Sequence, residues 1–66
     1  MVKKSISKRE MGILELIADG LTTDAIAEKL FISRHTVNSH RRKLNVKLGV
    51  SRPAELINEA KELGII

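Results

Sequence analysis

Only three residues, Phe31, Ile32 and Ser33, separate two amphipathic helical patterns in this 66-residue chain. The first begins at Thr22 and carries Ile26, Ala27 and Leu30, and the second runs from Arg34 to Leu48. So short a connection forces the two helices to pack directly and at a steep angle. Ile26, Leu30, Ile32 and Val37 fill the corner, and the small Ala27 permits close approach. The second pattern also holds five Lys/Arg residues and no acid. A basic helix braced at an angle by a partner helix is a simple device for presenting side chains to a nucleic-acid groove.

Local signals around this pair complete an all-α reading. Ser7 followed by Glu10 is a capping box, with Ile6 and Met11 at the two staple positions, so a first helix starts at about residue 8. Ile13, Leu14, Leu16, Ile17 and Leu21 form its apolar stripe, and Gly20 supplies the permissive residue that stops it. Gly12 interrupts the stripe at a cost of about 1 kcal/mol relative to Ala. Thr22 caps the second helix, where Asp24 complements the dipole, and Ser33 caps the third, which ends at Gly49. Ser51 and Pro53 open a fourth, with Leu56, Ile57, Ala60 and Leu63 on its apolar side. The expected helices are 8–19, 23–30, 34–48 and 52–63, forming one domain over 1–66 with residues 1–5 as a flexible arm.

The chain has no cysteine, so neither a disulfide framework nor a thiolate metal site is available and packing alone must hold the fold. No apolar run approaches the roughly 20 residues that span a bilayer, and Met1 to Lys4 lacks the core of a signal peptide. These features place the protein in the cytoplasm. The net charge of +4 conceals an uneven distribution: residues 33–52 contain Arg34, Arg41, Arg42, Lys43, Lys47 and Arg52, whereas all eight acids lie elsewhere. A polyanion partner accounts for this better than a solvated basic face.

On a helical wheel, Val37, Leu44 and Leu48 share one edge of the third helix, flanked by the stems of His40 and Arg41. The opposite edge holds His35, Asn38, Ser39, Arg42 and Val46, bordered by Thr36 and Lys43. Arg42 suits the O6 and N7 of guanine, and Asn38 suits the N6 and N7 of adenine. Ser33 and the N–H groups after it can bind a phosphate, as can Thr22 and Thr23 at the second helix. Arg34, His35, Thr36, Lys43 and Lys47 complete the candidate phosphate set. The last helix offers more apolar positions than one thin core needs. Leu56 and Ala60 are assigned to the core, and Ile57, Lys61 and Ile65, with Ile66, to a dimer interface.

Enzymatic chemistry finds no foothold. His35 and His40 stand five apart, about 140° from a common direction on a helix, and do not make a metal pair. Ser39 beside His40 is adjacency rather than a nucleophile and its base. No glycine-rich phosphate loop is present. The expectation is a binding domain without catalytic residues, metal, cofactor or small-molecule ligand.

The segment LFISRHTVNSHRRKLNVKLGV, preceded by Ser7-Lys8-Arg9-Glu10 and Gly20-Leu21-Thr22, resembles the LuxR-type (GerE-like) helix-turn-helix family over about residues 6–66. Its markers are Glu10, Ile26-Ala27, Leu30 to Ser33, Thr36-Val37, His40 and Lys47 to Val50. The resemblance implies a four-helix DNA-binding effector domain of a bacterial transcription regulator. Asn38, Ser39 and Arg42 would meet bases, Thr36, Lys43 and the turn residues would meet phosphate, and the fourth helix would pair two copies on double-stranded DNA. Asn38, Ser39, Asn45, Val46 and Gly12 depart from common family choices. Two other readings are a sigma-factor-like promoter-binding domain and a protein-interaction module built on the fourth helix. Phe31, where the sigma domain usually has Gly, and the fourth helix itself oppose the first of these. A single aromatic residue leaves little for stacking single-stranded RNA.

Overall fold

The computed structural model describes residues 6–66, and the arm expected over residues 1–5 lies outside the described residues. Four helices follow in order: α1 (Lys8–Ala18), α2 (Thr23–Leu30), α3 (Arg34–Leu48) and α4 (Pro53–Glu62). No strand occurs among the described residues.

The helix starts follow from their caps. Ser7 Oγ accepts the Glu10 N–H at 3.1 Å while the Glu10 carboxylate accepts the Ser7 N–H at 3.0 Å, which closes the expected box. Thr22 Oγ1 accepts from Ala25 N and Ser33 Oγ from Thr36 N. At α4 the cap is Arg52 rather than Ser51. Pro53 at the first helical position excludes its predecessor from the helical region, leaving Arg52 extended at φ −121° and ψ 149°. The Glu55 carboxylate then accepts the N–H groups of both Ser51 and Arg52.

All four helices end in one closure, in which a left-handed residue lets the chain fold its next N–H back onto the last turn. The closing bonds are Leu21 N to Leu16 O, Ile32 N to Ala27 O, Val50 N to Asn45 O and Ile65 N to Ala60 O. Gly20, Gly49 and Gly64 provide the left-handed residue at three ends, and Phe31, at φ 57°, provides it at the fourth. Phe31 is also 94 % exposed, so no packing compensates its backbone strain.

Ile13, Leu14, Ile26, Val37, Leu44, Leu48, Leu56 and Ala60 are buried in one core that draws on every helix. The α3 edge of Val37, Leu44 and Leu48 thus faces inward as expected, and α3 packs against each of the other three helices. Ile6 and Met11 pack against the core at the staple positions, and Ala27, Leu30 and Ile32 do so at the corner. Gly12 is not explained by close backbone approach: a Cβ built there meets nothing within 4 Å.

Candidate nucleic-acid interface

With one edge of α3 locked in the core, its opposite edge is committed to solvent. His35, Asn38, Arg42, Lys43 and Val46 are exposed there, and Ser39 and Thr36 are half-exposed. The side chains expected to meet bases, Asn38, Ser39 and Arg42, therefore lie together on one surface.

The five cations of α3 divide into two groups. Three are occupied within the domain. Arg34 Nε reaches Asp24 Oδ1 at 2.6 Å, in a pair whose side chains are 69 % and 70 % exposed. Arg41 Nη1 donates to Thr23 Oγ1 at 3.3 Å. Lys47 Nζ meets Glu10 Oε1 at 2.6 Å, with side-chain exposures of 26 % and 4 %. Arg42 and Lys43 carry no hydrogen bond or ion pair among the described residues.

These engagements differ in strength. The Arg34–Asp24 pair is solvent-screened and worth under about 1 kcal/mol. The Lys47–Glu10 pair joins the end of α3 to the start of α1 in a nearly dry setting. Burial opposes ionisation of Glu10, but the Lys47 ammonium, reinforced by the Ser7 N–H, outweighs it and holds the carboxyl below its ordinary value. Lys47, expected at a phosphate, is thus turned inward as a brace for the helix.

The two helix N-termini also differ. Ser33 Oγ is spent on Thr36 N and lies 2.8 Å from Thr36 Oγ1, while Val37 N bonds Ser33 O. Arg34 and His35, first in the helix and exposed, have N–H groups without an intrahelical acceptor. At α2, Thr22 is spent as a cap, and Thr23 accepts from Arg41 and donates to Asn38 Oδ1 at 3.4 Å. Thr23 therefore links the two helices across the turn, and the exposed Asp24 carboxylate stands at the same terminus. Sequence reasoning missed Arg41 as a structural residue. Its half-buried position beside the core edge was the available signal. His40 is half-buried as expected, with Nδ1 shielded and unpartnered among the described residues.

At the other end of the molecule, Ile57 and Ile65 are half-buried against the core and Lys61 is exposed. Leu63 and Ile66, 38 % and 37 % exposed, extend the apolar surface beside them.

Comparison with known proteins settles the family. Residues 4–60 match the family of bacterial regulatory proteins described as the luxR family. The chain belongs to that family. The oxygen regulatory protein NreC of Staphylococcus aureus, from strains JH9 and Mu3 alike, is 47 % identical over 57 residues, covering 86 % of this chain and 26 % of NreC. The crystal structure of ChrA, a response regulator in a heme-sensing two-component system, superposes with a TM-score of 0.91 at 37 % identity, covering 94 % of this chain and 31 % of ChrA. The chain thus spans about a quarter of NreC and under a third of ChrA. This luxR-family domain is a helix-turn-helix module of DNA-binding transcription regulators. No helix among its described residues is long and apolar enough to cross a membrane.

Proposed function

We propose that this luxR-family domain reads a specific double-stranded DNA sequence as the effector of a bacterial response regulator, working at the nucleoid in the cytoplasm. α3 enters the major groove, with Arg42 directed to guanine, Asn38 to adenine and Ser39 between them. Ser33, Arg34, His35, Thr36 and Lys43 hold the flanking phosphates, and Thr22 and Thr23 meet the backbone at the start of α2. Lys47 acts through Glu10 to fix the angle of α3. The observation that carries this reading is the separation among the cations: Arg42 and Lys43, beside Asn38 and Ser39, are the two on α3 with no partner among the described residues.

Two copies join through α4 at Ile57, Lys61 and Ile65, a pairing supported by the apolar surface that Leu63 and Ile66 leave open. Their third helices then meet successive major grooves roughly 34 Å apart. Selection from random duplex DNA, followed by titration of the enriched site, tests the reading. Arg42→Ala with Asn38→Ala abolishes preference for that site while helical content and dimerisation persist. An unchanged preference refutes the assignment, and loss of a protein partner instead favours an interaction module. Lys61→Glu with Ile65→Ser leaves single copies that bind each half-site independently and more weakly, read by sedimentation on DNA.

A further inference from the structure

Val46 is 80 % exposed on the strip that carries His35, Ser39 and Arg42, one helical turn beyond Arg42. Arg42, Lys43 and Lys47 surround it, and together the four side chains line a shallow depression of about 260 Å³. An exposed β-branched residue near the end of a helix contributes nothing to helix propensity, and no core residue covers this one. A valine offers no donor to a phosphate. An apolar knob framed by cations suits a small apolar group displayed among anionic ones. The thymine 5-methyl group, projecting into the major groove between two phosphate rows, is such a group.

We propose that Val46 is a specificity-determining residue that packs against the 5-methyl group of a thymine, with Arg42 on a neighbouring base and Lys43 on the adjacent phosphate. The proposal rests on the reading that α3 enters the major groove. Four residues of helix advance about 6 Å, so this thymine lies about two base-pair steps from the base met by Arg42.

The test uses the duplex selected with the wild-type chain, with each thymine replaced in turn by deoxyuridine, which removes only the methyl group. At one thymine per half-site the wild type loses about fourfold in affinity, the value of one buried methyl. Val46→Ala, folded by circular dichroism, binds the thymine and deoxyuridine duplexes within twofold of each other. The proposal is overturned if no thymine shows a methyl effect that Val46→Ala removes, and equally if the selected site has no thymine at that spacing. If Arg42→Ala still abolishes preference in those cases, the groove reading stands and Val46 alone is misassigned. If no duplex is enriched, both fail. A peptide partner at the same depression would leave DNA affinity insensitive to Val46→Ala, which also overturns the proposal.

Discussion

Removing the charge of Glu10 should loosen the reading helix without touching it. Breaking a fully buried ion pair by deleting one partner costs about 3–5 kcal/mol. Glu10 is nearly dry here, but the Lys47 side chain retains 26 % exposure and can turn toward water once released. Glu10→Gln keeps an oxygen for the Ser7 N–H and so preserves the cap. The expected loss is therefore about 2 kcal/mol. With about 2.1 cal/mol/K per residue of unfolding entropy, 1 kcal/mol moves the Tm of a chain this short by about 7 °C, so Tm falls by about 14 °C. Lys47→Met, which keeps the aliphatic stem, costs at least as much by stranding a buried carboxylate. Thermal unfolding of both single variants and the double variant measures the coupling directly, expected at about 1–2 kcal/mol. The sign of the pH dependence is fixed by the lowered Glu10 pKa. The unfolded chain takes up the proton first, so the contribution is whole above the ordinary value of 4.5 and is lost as pH falls through the folded value. The stability gap between wild type and Glu10→Gln should close over that acidic range. A coupling below about 0.5 kcal/mol, or a gap constant with pH, refutes the reasoning.

Phe31→Gly should raise stability by about 1 kcal/mol, because the left-handed φ of 57° is strained for Phe and its exposed ring returns no packing. A higher Tm with unchanged helical content checks this. Leu44→Ala removes a fully buried side chain where α3 meets the core, and should cost about 3 kcal/mol, leaving little or no cooperative transition in urea. Lys43→Ala should weaken binding to specific and random duplexes alike and reduce the slope of log K against log salt by about 1 per copy.

The features legible in the sequence are those whose physics is local. Caps at Ser7, Thr22 and Ser33 act across three residues, and the left-handed stops at Gly20 and Gly49 act across one turn, so sequence spacing defines them. The inward edge of α3 was legible because three aliphatic residues stand out among polar ones. At α4 the same reasoning misplaced the cap, because the constraint that Pro53 imposes on Arg52 outweighed the capping preference of Ser51. Side-chain destinations were not legible. Lys47 and Glu10 lie 37 residues apart and Arg41 and Thr23 lie 18 apart, and a positive charge in a sequence does not reveal which way its stem leans. Phe31 was visibly in the turn, but its left-handed backbone follows from the tightness of the closure rather than from any preference of phenylalanine. Nothing in the structure explains Gly12.

The inward commitment of Lys47 and Arg41 bears on how such a domain would search a genome. A helix with all five cations outward would cling to any stretch of duplex, since each phosphate neutralised strengthens binding regardless of sequence. Retaining two of them for scaffolding lowers the grip on the vast excess of wrong sites while leaving base contacts untouched. Affinity for right and wrong sites then falls together, so their ratio is kept while every encounter is shorter, and such a domain leaves irrelevant DNA sooner.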